Sequence, residues 1–215
     1  MSIDANLTHI AIEGGIGVGK TTLATRLAEK LGTNLLLEDI DDNPFLPLFY
    51  QDPDRHGLSV QLSFLFSRLK QWQPIIQQDL FHPLLISDYV FAKDRLFAMT
   101  NLSDEEFALY NQVVQAIAPE LPKPDLVIYL QSTPETALKR VRKRNRRMEQ
   151  SIGLDYLKKI NEAYDNFFFH YQETPLLVVQ ADRINFADQP ETLDMLINRI
   201  RHMGKGTEFW ADYTT

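Results

Sequence analysis

One stretch near the amino terminus decides the fold of this chain: Ile10-Ala11-Ile12-Glu13-Gly14-Gly15-Ile16-Gly17-Val18-Gly19-Lys20-Thr21-Thr22. An apolar run precedes the glycines and predicts a β-strand, and an amphipathic run from Leu23 to Leu31 predicts a helix after them. Gly14 and Gly19 enclose four residues and Lys20-Thr21 follows, which completes the pattern G-x-x-x-x-G-K-[ST]. A strand, a glycine-rich loop and a helix in this order are typical of a loop that binds the phosphates of a nucleoside triphosphate.

The residues of this loop suit phosphate and magnesium for separate reasons. Glycines let the backbone curl with its N–H groups pointing inward, and the following helix directs its positive end to the same point. Lys20 offers a charge to the outer phosphates, and Thr21 offers a hydroxyl to Mg²⁺. The alternative is a glycine-rich turn that binds nothing. We expect ATP or another nucleoside triphosphate, with Mg²⁺, at Gly14, Gly15, Ile16, Gly17, Val18, Gly19, Lys20, Thr21 and Thr22.

Composition limits the class of protein. The chain has 215 residues, 44% hydrophobic and 24% charged, which suits a single domain over residues 1–215 with a full core. The absence of cysteine excludes disulfides and thiolate metal sites and favours a reducing compartment such as the cytoplasm. No signal peptide is visible, and no apolar run reaches the roughly 18 residues of a membrane span. A net charge of −7 disfavours nucleic acid as a partner unless a local basic patch exists.

Five short apolar runs alternate with helical patterns along the chain. Most of them are continuously apolar, as strands buried on both faces of a parallel sheet are. We therefore predict an α/β fold, a doubly wound five-stranded parallel sheet with helices on both faces, whose ligands bind beyond the carboxyl ends of the strands. The predicted strands are Leu7–Glu13, Asn34–Glu38, Pro83–Asp88, Asp125–Gln131 and Pro175–Gln180.

Acidic residues follow the second and third predicted strands. Glu38 ends the second strand, where a carboxylate is placed to accept the proton of a hydroxyl that attacks the γ-phosphate. The alternative is a solvated acidic loop, which we favour for Asp41 and Asp42. Asp88 follows four apolar residues in the Walker-B arrangement, in which an acid faces the Mg²⁺ of the phosphate loop.

Two helical segments carry further candidates. A predicted helix from Leu58 to Gln78 has an apolar stripe that fits either a core or a partner, and the polar pair Gln61 and Arg68 lies on another face around Phe64. Periodicity alone favours solvated polar side chains there.

A basic run holds six cations in the eight positions from Arg140 to Arg147, and Arg140, Arg144 and Arg147 share one predicted helical face. A solvated face and a nucleic-acid patch are alternatives, but we favour a mobile lid that closes over phosphates. The tail Gly204–Thr215 has no predicted role.

Several blocks of sequence resemble the deoxynucleoside kinase family, which includes kinases of deoxycytidine, deoxyguanosine and deoxyadenosine. The first block is Ile128-Tyr129-Leu130-Gln131-Ser132-Thr133-Pro134-Glu135-Thr136-Ala137-Leu138, and the basic run, Glu149-Gln150 and Leu154-Asp155-Tyr156-Leu157 follow without a gap. The resemblance extends from Ile10 to Asp188 and implies a P-loop kinase with an arginine-rich lid. It further implies a homodimer that uses ATP and Mg²⁺ to phosphorylate the 5′-hydroxyl of a deoxyribonucleoside.

The resemblance also implies roles for individual residues. It implies that Glu38 is the general base and that Lys20, Arg140, Arg144 and Arg146 take part in catalysis. It implies that Tyr50 and Glu149 bind the sugar 3′-hydroxyl and that Phe186 contacts the base of ATP. The residues that it places around the nucleoside base are Gln61, Phe64, Arg68 and Asp94. For Gln61 and Arg68 this assignment replaces the solvated interpretation. One position departs from the pattern, because Tyr89 stands where the family has an arginine after the acid of the third strand.

The sequence leaves open the substrate and three other classes of protein. The bulk of Phe64 favours deoxyadenosine or deoxyguanosine, with deoxycytidine as an alternative. A nucleoside monophosphate kinase such as thymidylate kinase shares the loop and the lid, but it needs extra cations for the phosphate of its acceptor. A non-enzymatic nucleotide-dependent switch is the second class, although the guanine-reading pattern N-K-x-D of GTPases does not occur. A nucleic-acid-binding ATPase is disfavoured by the net charge.

Overall fold

A computed structural model describes residues 7–77, 84–117, 122–184, 186 and 189–211 of the chain. Its strands are β1 (His9–Gly14), β2 (Asn34–Leu36), β3 (Leu85–Ser87), β4 (Leu126–Gln131), β5 (Leu176–Gln180) and β6 (Thr207–Trp210). Its helices are α1 (Lys20–Leu31), α2 (Leu46–Phe49), α3 (Pro53–Gln77), α4 (Ala92–Asn101), α5 (Asp104–Ile117), α6 (Pro134–Arg144), α7 (Leu154–Phe169) and α8 (Pro190–His202), with a 3₁₀ turn at Arg147–Glu149. The predictions at Gln78, Pro83, Asp188 and residues 212–215 lie outside the described residues.

The strands form one parallel sheet in the order β2-β3-β1-β4-β5-β6. β1 is central, and it pairs with β3 through Ile10 and Ile86 and with β4 through Ile12 and Ile128. Side chains alternate along β1, so that Ile10 and Ile12 pack with α1 and α8 while Ala11 packs with α4 and α7 on the opposite face. The prediction of a doubly wound α/β fold is therefore confirmed.

The sheet has one strand more than predicted, and its two edge strands differ from the expected pattern. β6 lies in the tail and pairs in parallel with β5. Trp210 is buried there while Phe209 is 75% exposed, so β6 lacks the continuous apolar run on which the prediction relied. β2 forms the opposite edge, and Leu35 is 38% exposed. The expectation of burial on both faces is therefore wrong for β2.

The lid region is helical over only part of its basic run. α6 begins after Thr133, whose side chain accepts a hydrogen bond from the backbone as a helix cap. It ends at Arg144, because Asn145 adopts a left-handed φ of 54°. Arg147 then belongs to the 3₁₀ turn, so the prediction that it shares a helical face with Arg140 is wrong.

The long helix α3 belongs to the core along its apolar stripe. Leu65 is fully buried and clusters with Ala98 of α4 and Tyr110 of α5. Packing between these helices places the other face of α3 toward the carboxyl end of the sheet, where its polar side chains line a cavity. Among the described residues, no helix combines the length and the apolar character that a membrane span requires.

Candidate active site

The phosphate loop joins β1 to α1 at the carboxyl end of the sheet. Gly17 and Gly19 have φ values of 81° and 108°, in the region that favours glycine. A Cβ on Gly17 would lie 2.7 Å from the carbonyl oxygen of Ala137 in α6, so only glycine allows this approach of the loop to the lid helix. Gly19 directly precedes α1, whose first N–H groups are available to an anion. The geometry therefore fits the predicted triphosphate.

Lys20 is the cation of the loop. Its Nζ donates to the carbonyl oxygens of Gly14 and Gly15, both at 2.8 Å. Burial, and after it the charge of Lys93, lowers the pKa of Lys20 to about 8. An anion bound beside Lys20 would stabilise its ammonium group, and the outer phosphates of ATP would supply that negative charge.

Thr21 and Asp88 form a pair of oxygen ligands that suits Mg²⁺. The hydroxyl of Thr21 donates to Oδ2 of Asp88 at 2.6 Å, and Oδ1 of Asp88 accepts the backbone N–H of Glu38 at 2.7 Å. Mg²⁺ is commonly held by one or two protein oxygens, with phosphates and water completing its shell. In the described ranges no group of three or more His, Cys, Asp or Glu side chains forms a separate metal site. The residues present thus fit a magnesium ion that arrives with a triphosphate.

A cavity of about 690 Å³ extends from the phosphate loop to α3 and brings most of the predicted residues together. It is lined by loop residues 16–22, by Phe186, and by Glu38, Tyr50, Gln61, Phe64, Arg68, Asp88, Arg140, Arg144 and Glu149. Within the described part of the chain, four predicted residues do not line it: Gly14, Gly15, Asp94 and Arg146. One cavity therefore extends from the phosphate loop to the side chains that are predicted to bind the nucleoside.

Glu38 lies on the wall of this cavity between two cations. Its Oε1 accepts hydrogen bonds from Arg68, and its Oε2 accepts one from Nζ of Lys93. Burial alone would raise the pKa of Glu38, but Lys93 and Arg68 outweigh it and lower the pKa to about 2. Glu38 is therefore an ionised hydrogen-bond acceptor at any physiological pH. Asp41 and Asp42 are exposed, as predicted.

Gln61 and Arg68 belong to a buried polar network. Both side chains are only 3% exposed, so the solvated interpretation from periodicity is wrong. Arg68 donates to Asp94 as well as to Glu38, and Gln61 donates to the backbone oxygen of Asp94 at 3.2 Å. The hydroxyl of Tyr110 donates to the second oxygen of Asp94 at 2.5 Å. Asp94 therefore supports the cavity wall through Arg68 and Gln61.

Glu149 and Tyr50 lie together below the lid helix. Arg144 donates to both carboxylate oxygens of Glu149, with distances of 3.1 and 2.6 Å. Burial raises the pKa of the Tyr50 hydroxyl, and the neighbouring Tyr156 and Glu149 raise it further. A neutral phenol beside a carboxylate can donate to one oxygen of a sugar hydroxyl while the carboxylate accepts from it.

The three predicted lid arginines occupy different surroundings. Arg140 donates to the backbone oxygens of Val18 and Ala181 at 2.8 and 2.7 Å, which ties α6 to the phosphate loop and to the segment after β5. Arg144 contacts Glu149, as described. Arg146 lies 3.8 Å from the carboxylate of the exposed Asp41. Of these three arginines, only the two on α6 therefore reach the cavity in this conformation.

Two buried ionisable residues near the site were not among the predicted site residues. Glu13 accepts the N–H groups of Gly14 and Val90 and the hydroxyl of Tyr164, and burial raises its pKa. A lone acid at the end of an apolar strand could have drawn attention to it. Lys93 lines the cavity, but its partner Glu38 is 55 positions away, so no local pattern indicated the pair.

The sheet, the phosphate loop, the acid after β3 and the basic lid helix together define a P-loop phosphotransferase. Residues 10–204 match the family described as deoxynucleoside kinase, and the chain belongs to this family. It is therefore an enzyme that phosphorylates deoxynucleosides at the expense of a nucleoside triphosphate, a reaction of nucleotide salvage.

Known relatives agree with this membership. The chain is 36% identical to a deoxyadenosine kinase of Dictyostelium discoideum over 88% of this chain and 78% of that one. It is 31% identical to a deoxyguanosine kinase of Lactobacillus johnsonii over 95% and 97% of the two chains. The solved structure of deoxyadenosine kinase from M. mycoides with bound dATP superimposes with a TM-score of 0.78, at 26% identity over 90% of this chain and 98% of that one.

Proposed function

We propose that this kinase transfers the γ-phosphate of ATP to the 5′-hydroxyl of a purine deoxynucleoside, deoxyadenosine or deoxyguanosine. The observation that carries the proposal is the single cavity that joins the phosphate loop to Gln61 and Glu149. The relatives named above are kinases of deoxyadenosine and deoxyguanosine. Deoxycytidine is the second candidate, because a Bacillus subtilis relative, 29% identical, is a deoxyadenosine/deoxycytidine kinase.

In this proposal the donor binds on the phosphate loop. Lys20 exchanges its backbone acceptors for phosphate oxygens, and Phe186 lies beside the base of ATP. Thr21 and Asp88 hold Mg²⁺, which supplies positive charge to the phosphates when bound. Arg140 keeps the lid helix attached to the loop through its bonds to Val18 and Ala181.

The acceptor lies at the other end of the cavity. Tyr50 and Glu149 bind the 3′-hydroxyl, which requires Arg144 to leave Glu149 and turn to the phosphates together with Arg146. The amide of Gln61 reads the base, and Arg68 with Asp94 fixes that wall beside Phe64. These assignments give a role to Gln61, Arg68 and Asp94 of the buried network.

Glu38 receives the hydrogen bond of the attacking 5′-hydroxyl and takes its proton. Phosphoryl transfer passes through a loose transition state, so the proton need not leave before the phosphoryl group arrives. A carboxylate with a low pKa therefore suffices, because its main task is to orient the hydroxyl in line with the γ-phosphate.

The remaining features of the proposal concern the whole chain. We propose a single kinase domain over residues 1–215 that works in the cytoplasm as a homodimer, without nucleic acid as a partner. Phe66 on α3 and Leu109 on α5 are 55% and 48% exposed, and burial of these side chains between two copies would explain them. Sedimentation at several concentrations tests this part, and a monomer at all of them would contradict it.

Release of ADP from ATP–Mg²⁺ with a panel of acceptors tests the central proposal. We expect turnover with deoxyadenosine or deoxyguanosine, slower turnover with deoxycytidine, and none without an acceptor. Turnover only with deoxynucleoside monophosphates would indicate a monophosphate kinase instead, and turnover only with single-stranded DNA would indicate a nucleic-acid ATPase. Omission of Mg²⁺ with added EDTA should abolish the reaction.

A further inference from the structure

We propose that Lys93 is a catalytic residue whose ammonium contacts the transferring phosphoryl group at the acceptor end of the cavity and balances the charge of Glu38. The proposal rests on the function proposed above. It assigns a role to a residue that no motif of the sequence singled out, and it names the cation that serves where Tyr89 offers none.

The position of Lys93 is the first support. It lies in the first turn of α4, shortly after Asp88, so the same crossing of the sheet delivers the magnesium ligand and this lysine. Its side chain is 6% exposed and yet lines the cavity. Its Nζ donates to Oε2 of Glu38, the oxygen that Arg68 leaves available.

The distribution of charge around Lys93 is the second support. Lys93 and Lys20 both line the cavity, so it holds two ammonium groups. Asp88 connects their surroundings, because it accepts hydrogen bonds from Thr21, the neighbour of Lys20, and from the backbone N–H of Glu38, the partner of Lys93. Such like charges repel in the unliganded protein. An anion that binds between the two groups turns this repulsion into attraction, and in this cavity the γ-phosphoryl group is that anion.

The surroundings of Tyr89 are the third support. Its hydroxyl donates to the side-chain oxygen of Gln71 at 2.9 Å, and the amide of Gln71 donates to the backbone oxygen of Leu37 at 2.9 Å. The ring lies 5.8 Å from the guanidinium carbon of Arg68. Tyr89 is thus held as a wall beside Arg68 and carries no charge to the reaction.

Arg68 cannot serve as this cation alone. One of its nitrogens is held by Asp94, while the others contact Oε1 of Glu38, so its guanidinium is committed to the two carboxylates. A lysine has three donors on a single nitrogen and can keep one on Glu38 while it offers another to a phosphate oxygen. Lys93 is therefore the cation that can follow the phosphoryl group from donor to acceptor.

The test compares Lys93→Met, which roughly keeps the length of the side chain and removes its charge, with Lys93→Arg, which keeps the charge. Lys70→Met is the matched control, because Lys70 is an exposed lysine of α3. Measurements are kcat and KM for each substrate, equilibrium binding of the deoxynucleoside to the enzyme without ATP, and thermal unfolding. Removal of one charge that stabilises a transition state commonly lowers kcat by a factor of about 10² to 10³.

We expect Lys93→Met to lose kcat by about that factor, to bind the deoxynucleoside within about threefold of the parent, and Lys93→Arg to recover most of the loss. Lys70→Met should match the parent. A folded Lys93→Met enzyme with parental kcat would overturn the proposal, as would a folded Lys93→Arg enzyme no faster than Lys93→Met. Should Lys93→Met not fold, the Lys93→Arg variant decides, because the proposal requires it to keep most of the parental kcat.

Failure of the proposed function can be distinguished from failure of the Lys93 proposal by the activity of the parent enzyme. In that case the parent enzyme itself does not turn over deoxynucleosides, whereas either result that overturns the Lys93 proposal is obtained with an active parent.

Discussion

The ion pairs of Glu38 lead to a prediction about stability and activity together. Glu38→Gln keeps the shape of the side chain and removes its charge, which leaves Lys93 and one side of Arg68 without their acid. Because the pKa of Glu38 is lowered from 4.5 to about 2 in the folded state, its charge contributes about 3 kcal/mol to stability at neutral pH. Loss of one partner from a buried ion pair costs about 3–5 kcal/mol, so two lines of reasoning give a similar magnitude.

The sign of this contribution sets its pH dependence. A depressed pKa stabilises the fold fully above 4.5, and the stabilisation is lost as the pH falls through the range from 4.5 to about 2. Urea unfolding of parent and Glu38→Gln should therefore differ by about 3 kcal/mol at pH 7, with the gap shrinking below pH 4.5.

The second measurement is kcat of the same variant. Loss of the general base should lower kcat by a factor of about 10² to 10⁴ at pH 7. The control is Asp42→Asn, which neutralises an exposed acid of the same loop and should change neither quantity. A Glu38→Gln enzyme that is as stable as the parent at pH 7, or that turns over as fast, would refute the reasoning.

Three further predictions concern other parts of the molecule. Gly17→Ala should weaken ATP binding by at least about tenfold with the fold retained, because the added Cβ would clash with the backbone of Ala137. Titration with ATP measures the affinity and circular dichroism checks the fold; an unchanged affinity would contradict the prediction. Tyr110→Phe removes a hydrogen bond to the buried carboxylate of Asp94, worth about 1.5–3 kcal/mol, so KM for the deoxynucleoside should rise by about tenfold or more while KM for ATP stays constant. Burial lowers the pKa of His9 to about 4, so the free energy of unfolding should fall as the pH drops from 6.5 toward 4 and the buried ring becomes protonated. In His9→Gln the free energy of unfolding in urea should depend less on pH in that range, and an unchanged pH dependence would count against the prediction.

Much of the fold follows from local patterns in the sequence. The glycine loop identifies β1 and α1, and continuous apolar runs identify the central strands, because strands covered on both faces need such runs. β6 escapes this reasoning, since one face of this short edge strand is exposed and burial alternates along its four residues. The end of α6 depends on the left-handed conformation of Asn145, which a run of helix-favouring cations conceals.

Candidate site residues that directly follow a strand could be predicted from the sequence. Buried charged residues whose partners lie far away in the chain could not. Glu38 and Asp88 follow strands, so their position alone places them at the carboxyl end of the sheet. Arg68 reads as a surface residue, because its burial is stabilised by Asp94, which is 26 positions away, and by Glu38, which is 30 positions away. Lys93 has the same kind of partner at long range, and only the folded chain reveals it.

The sixth strand has a practical consequence for how the enzyme is produced. Trp210 of β6 packs against Phe186, with 6.1 Å between the ring centroids, and Phe186 lines the cavity. The family match ends at residue 204, so a domain boundary drawn there would delete β6 and the ring that supports this wall. Because Phe186 is the side chain that we propose lies beside the base of ATP, we expect shortened versions cut at that boundary to lose selectivity among phosphate donors.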